Sequence, residues 1–116
     1  IICVASNKIS KEVYRGLKLC GIDRYIDDVI GAELMSTAKP NPDCINQLKD
    51  KYKVKKVLMI GDTEADILTG KNAKSFTCGV IWCVSTYEDF KKWDADEIIS
   101  DPKELIKLGE KYANRI

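Results

Sequence analysis

The stretch KVLMIGDTEADILTG, residues 56–70, carries an apolar run into Gly61 and then sets two carboxylates, Asp62 and Asp66, with only Thr, Glu and Ala between them. Like charges this close repel, so a counter-charge is expected nearby. A hard cation such as Mg²⁺ meets that need, because it takes oxygen ligands and commonly binds through one or two carboxylates together with waters and a substrate phosphate. The competing reading is structural: Asp62 caps a helix and Asp66 sits in the favourable field of its amino terminus. Gly61 tilts the balance toward a site, since it permits a tight turn and close approach of a ligand.

Lys39, in AKPNPD, is a second candidate. A loop lysine is ordinarily a solvated charge, but Pro40 and Pro42 stiffen the backbone around it, and a fixed ammonium is a good partner for a phosphoryl oxygen. Ser6 and Asn7 end the apolar opening IICVAS. They suit ordinary turn chemistry first, and donation of a hydroxyl, an amide and backbone N–H groups to an anion second.

These residues need a frame to hold them. Short apolar runs alternate with amphipathic stretches, the pattern of an α/β chain with a parallel sheet flanked by helices. IICVAS is the first expected strand. Ser10 is expected to cap a helix whose Val13, Leu17 and Cys20 share a face, with Gly21 as its stop. DDVIGAE is a short strand or extended loop. In KPNPDCINQLKDKY a helix should begin with Asn41 as cap and Pro42 at its first position, turning Ile45, Leu48 and Tyr52 inward. VLMI should be a strand buried at every position, followed by a helix from about Thr63. GVIWCV is the next expected strand, YEDFKKW a short helix and DEIIS a terminal strand. Asp101 and Pro102 open a last helix with Leu105, Leu108 and Tyr112 inward. In such sheets functional groups gather beyond the carboxyl ends of the strands. That rule selects Ser6–Asn7, Gly61–Asp62 and the loop after Val84.

Bulk properties narrow the function classes. The 116 residues are 45% apolar and 32% charged, the size and composition of one domain. Nineteen basic and eighteen acidic residues leave a net charge of +1, so there is no basic field for nucleic acid or an anionic membrane. Five cysteines without a CxxC pair, and no histidine, argue against zinc and for reduced thiols in a cytoplasmic setting. Cys3, Cys78 and Cys83 fall in strand-like surroundings, where a thiol packs as a small hydrophobe.

Taken together, VASN, then KPNPD, then VLMIGDTEAD resembles the haloacid dehalogenase (HAD) superfamily, and within it the phosphoglycolate phosphatase-like branch. The resemblance runs through essentially the whole chain, including GLKLCGIDRYIDDVIGAE and ADEIISDPKELIKL. It implies a three-layer Rossmann-like core and phosphoryl transfer through an aspartyl-phosphate. It also implies roles: Ser6 binds the transferring phosphoryl group, Asn7 shapes that pocket, and Lys39 steadies nucleophile and phosphate. Asp62 ligates Mg²⁺, and Asp66 binds or orients the metal through water. A small phosphorylated metabolite is the implied partner.

The family's nucleophile lies in a D-x-D-x-T motif, which these residues lack; Asp23, Asp27 and Asp28 have neither the spacing nor the preceding strand. In the family that motif ends a central strand between those matching IICVAS and VLMI. The chain opens on Ile1, already in a strand. The expectation is therefore residues 1–116 as the carboxyl-terminal portion of a core domain, with the first motif and a cap domain upstream and no turnover from this segment alone. Lys74 and Cys83 stand where the branch often has glycine. Remaining alternatives are a phosphomutase or phosphonatase of the same superfamily, a non-catalytic phosphate- or Mg²⁺-binding regulatory domain, and, less favoured, a receiver-like signalling domain.

Overall fold

The computed structural model describes residues 1–35 and 38–113. They fall into two compact units, Ile1–Ala38 and Lys39–Ile116.

The first unit pairs strand β1 (Cys3–Ala5) in parallel with β2 (Asp28–Ile30), Val4 standing opposite Val29. Helix α1 (Ser10–Leu19) connects them. Val29 and Ile30 are buried, and Val13 and Leu17 on α1 are half-buried. The helix ends as expected, with Gly21 at φ +70°, a left-handed position that glycine adopts without steric cost. Its start differs from expectation. Ile9 holds the cap position, and Ser10 is the first helical residue. The Ser10 hydroxyl instead accepts the Gly31 N–H at 3.0 Å, while its own N–H donates to Glu33 Oε1 at 2.8 Å. A tertiary contact has taken the side chain that local propensity assigns to the cap. Cys20 is exposed beyond the helix and does not join its inner face.

The second unit runs α2 (Asp43–Tyr52), β3 (Leu58–Gly61), α3 (Glu64–Asn72), β4 (Phe76–Val80), α4 (Tyr87–Lys92), β5 (Glu97–Ile99) and α5 (Glu104–Ala113). Its three strands are parallel in the order β3-β4-β5, with Gly61 opposite Gly79 and Val80 opposite Ile99. Cys78, Val80, Ile99, Leu108 and Tyr112 form a core against which Leu58, Phe76 and Leu105 pack. The Phe76 and Tyr112 rings lie 4.9 Å apart. Gly79 is required here: a Cβ would sit 2.3 Å from the ring of the fully buried Phe90.

Three expectations shift. α2 begins one residue late: Pro42 is the cap, and Asn41 Oδ1 accepts the Asp43 N–H at 3.0 Å from outside the helix. VLMI is half-buried, with Ile60 42% exposed, because β3 is an outer strand of its sheet and pairs with β4 on one side. The strand expected over GVIWCV lies earlier, at Phe76–Val80. Its neighbours set that end: β3 stops opposite Gly79 and β5 opposite Val80, leaving no ladder for the residues beyond. Trp82, Cys83 and Val84 are consequently exposed in the following loop.

Candidate functional site

The turn from β3 into α3 builds the site. Thr63 takes extended backbone angles and caps α3, its hydroxyl oxygen accepting the Asp66 N–H at 3.3 Å. The same hydroxyl donates to Asp66 Oδ2 at 3.1 Å, and that oxygen also accepts the Asp62 N–H at 3.1 Å. The reciprocal pattern relieves amino-terminal N–H groups that have no partner within the helix. The helix cap is thus Thr63 and not Asp62. The Asp62 carboxylate accordingly makes no hydrogen bond or ion pair with any described residue.

Asp66 is buried, 7% exposed. Its other oxygen, Oδ1, receives the Lys39 ammonium at 2.7 Å, and both side chains are largely enclosed, at 13% and 10% exposure. Burial, the largest influence, pushes the Asp66 carboxyl upward in pKa. The Lys39 hydrogen bond and charge, the Thr63 hydroxyl and the Asp62 N–H together outweigh it and hold the group below its ordinary value. Lys39 is therefore a counter-charge within the protein for the closely spaced acids.

Gly61 has a different purpose from the one its sequence position suggests. A Cβ there would lie 2.2 Å from Asp66 Cβ and 2.4 Å from Asp66 Oδ2. The space that glycine opens is filled by Asp66 itself, and this close approach lets Asp66 reach back to the Asp62 N–H.

The residue after Lys39 is tied to α3. The Lys39–Pro40 peptide is cis, and the Pro40 carbonyl accepts from Asn72 Nδ2 at 3.1 Å at the far end of α3. Ser85 adds a contact the sequence does not announce. This buried residue donates its hydroxyl to the Asp62 carbonyl at 2.6 Å, tying the loop after β4 to the end of β3. The strand-end rule selects that loop, but no motif or spacing distinguishes Ser85 within it.

Lys39, Asp62 and Asp66 thus meet in one unit at the carboxyl end of β3. Ser6 and Asn7 lie in the other unit, just past the carboxyl end of β1. The Ser6 N–H donates to the Ile30 carbonyl at 3.0 Å, and its hydroxyl accepts the Lys8 N–H at 3.1 Å in a local turn. Asn7 is exposed.

Mg²⁺ needs oxygen donors but not a complete protein cage. Among the described residues no group of three or more His, Cys, Asp or Glu side chains could enclose a metal. The Asp62 carboxylate is unpartnered, and Asp66 is a charged neighbour already committed to Lys39. This fits a cation that retains waters and completes its shell with substrate oxygens, and it does not fit a metal needing a full protein cage.

A family profile described as haloacid dehalogenase-like hydrolase matches residues 1–80. The chain belongs to that family. Among curated relatives, it is 33% identical over 107 residues to a pyrophosphatase, PpaX, of Listeria welshimeri, an alignment spanning 90% of this chain and 49% of that protein. It is 33% identical over 109 residues to a phosphoglycolate phosphatase of Vibrio parahaemolyticus, spanning 92% and 48% of the two chains. The crystal structure of a predicted phosphoglycolate phosphatase from Haemophilus somnus superposes with a TM-score of 0.85 at 25% identity, over 93% of this chain and 49% of that one. The chain therefore spans about half the length of the curated relatives it matches. The HAD relationship and the α/β architecture with parallel sheets flanked by helices both agree with the sequence expectation. No helix of the described residues is long and apolar enough to cross a membrane.

Proposed function

We propose that the full-length protein is a Mg²⁺-dependent phosphohydrolase of small phosphorylated metabolites, in the range named for its pyrophosphatase and phosphoglycolate phosphatase relatives. The observation that carries this reading is the Lys39–Asp66–Asp62 chain. A buried ion pair fixes an ammonium at 2.7 Å from Asp66, and Asp66 in turn fixes the backbone of a second aspartate whose carboxylate is unpartnered.

In this proposal Asp62 is the direct Mg²⁺ ligand, and Asp66 orients the ion through water. When bound, Mg²⁺ supplies positive charge to the phosphoryl oxygens. Lys39 stabilises charge on the phosphoryl group and the nucleophile, held in place by Asp66. Ser6 and Asn7 bind the phosphoryl group with neutral donors. The nucleophile is assigned to an aspartate in chain outside these 116 residues, since they contain no D-x-D-x-T. Its carboxylate forms a bond to phosphorus as the bond to the leaving oxygen breaks, and water then cleaves the aspartyl-phosphate to release phosphate. The 116-residue segment by itself is accordingly assigned no turnover.

The test is Asp62→Asn in the full-length protein. Hydrolysis of pyrophosphate and phosphoglycolate should fall by at least about a hundredfold, the scale of losing a main charge-stabilising group. Mg²⁺ uptake by calorimetry should be abolished while the unfolding midpoint is little changed. Unaltered Mg²⁺ uptake in the variant refutes the metal role.

A further inference from the structure

The opposite end of α3 carries a cluster that the proposed phosphatase site does not use. Lys56, Lys71, Lys74, Ser75, Phe76 and Asp96 line an open cavity of about 460 Å³. Phe76 stands opposite Leu58 and Gly79 opposite Gly61, so at about 3.3 Å per residue the cavity lies roughly 10 Å down the sheet from the end that holds Asp62.

Its charge is lopsided. Three ammoniums face one carboxylate, Asp96, whose Oδ2 is already occupied by the Thr77 N–H at 2.8 Å and the Thr77 hydroxyl at 3.2 Å. Lys71 has a partial partner in the exposed Asp94 at 3.3 Å. Lys56 and Lys74 form no ion pair among the described residues; Lys56 lies over the Phe76 ring, 5.9 Å from its centroid. Placement of lysines at a helix carboxyl end suits the helix dipole, and that accounts for Lys71 and Lys74. It does not account for Lys56, which comes from the segment leading into β3.

A second feature points to a ligand. Lys74 follows α3 in the left-handed conformation, φ +56°, just as Lys53 follows α2 at φ +55°, an ordinary helix ending. The next residue, Ser75, has the one fully enclosed side-chain polar atom among the described residues that lacks a hydrogen-bond partner, its Oγ. A buried unmade hydrogen bond is costly, and a serine hydroxyl can turn about χ1 toward an arriving acceptor.

We propose that this cavity is a second anion site, binding a small, multiply charged oxyanion of the diphosphate class through Lys56, Lys71, Lys74 and Ser75, separate from the Asp62–Asp66 centre. Oxyanion binding neutralises the clustered ammoniums and supplies the Ser75 hydroxyl with an acceptor.

The experiment titrates the full-length protein with inorganic pyrophosphate in the presence of EDTA, following backbone amide shifts. Excluding Mg²⁺ separates this site from metal-assisted binding at the other. The expected result is saturable movement of the Lys74, Ser75 and Phe76 amides. The combined K56Q and K74G variant should bind about tenfold or more weakly through loss of two charge-assisted contacts, with an otherwise native spectrum. The proposal is overturned by saturable shifts confined to residues 61–64, by no saturable shift, or by an affinity that the double variant leaves within about twofold of the original.

Discussion

The two ends of α3 solve opposite electrostatic problems in opposite ways. At its amino end two aspartates are drawn together, and Thr63, Lys39 and the Asp62 N–H satisfy Asp66 on both oxygens. At its carboxyl end lysines are drawn together, and one enclosed hydroxyl is left without a partner. Both charge distributions agree with the helix dipole, so the dipole alone does not distinguish them. The difference lies in connectivity: a closed network fixes the Asp66 carboxylate, while among the lysines Lys71 reaches only the exposed Asp94 and Lys56 lies over the Phe76 ring. A closed network is stiff and intolerant of change; an open one can tolerate loss of a member.

Substitutions can break or sharpen that contrast. The largest effect is expected for Gly61→Ala, which places a methyl group 2.2 Å from Asp66 Cβ. Relief requires moving the turn or expelling Asp66, so unfolding in urea should show a loss exceeding about 3 kcal/mol. A loss below about 1 kcal/mol would show that the network is more pliable than its geometry implies.

Asp66→Ala should come next, costing about 2–3 kcal/mol by leaving the enclosed Lys39 ammonium and the Asp62 N–H without their acceptor. This contribution depends on pH. Because the folded Asp66 pKa is depressed below its ordinary 3.8, its stabilisation is complete above that value and disappears as the pH falls through the folded pKa. The stability gap between the parent and Asp66→Asn, measured by urea melts, should therefore narrow between neutral pH and strong acid.

Lys74→Gly tests the other end and should have the opposite sign. Removing a side chain from φ +56° should stabilise the protein by about 1 kcal/mol, seen as a higher denaturation midpoint. Destabilisation would show that the Lys74 stem packs as tightly as the acidic network.

The smallest effect concerns chemical accessibility where β4 leaves the core beside the site. Burial, followed by the charges of Glu97 and Glu104, pushes the Cys78 thiol up to about 12, and burial also raises Cys44. Cys20 and Cys83 are exposed. A thiol reagent on the native protein should modify Cys20 and Cys83 at least roughly tenfold faster than Cys44 and Cys78. Comparable rates at Cys83 and Cys78 would mean that the strand continues past Val80.

Much of this organisation was legible from local pattern. Alternating apolar and amphipathic runs located the five α-helices and, apart from the shifted β4, the strands of the described residues, and strand-end logic selected the turn containing Asp62. Errors arose where a neighbour decided the outcome. Ser10 lost its capping role to Gly31, β4 ended where β3 and β5 offered no further ladder, and Ile60 remained exposed on an outer strand. Ser85 was invisible because its partner is a backbone carbonyl 23 residues away, an acceptor that carries no mark of residue type.

The order of residue types alone determined that an aspartate pair follows an apolar strand, that a threonine stands three places before the second of them, and that a lysine is set among prolines. These are short-range properties, governed by backbone preference and side-chain chemistry within a turn or two. Tertiary structure alone decided that Lys39 would meet Asp66 across 27 residues, that Gly61 would make room for a carboxylate of its own chain, and that Asp62 would keep its carboxylate unpartnered. Such outcomes depend on how distant elements approach and exclude water, which no local propensity encodes.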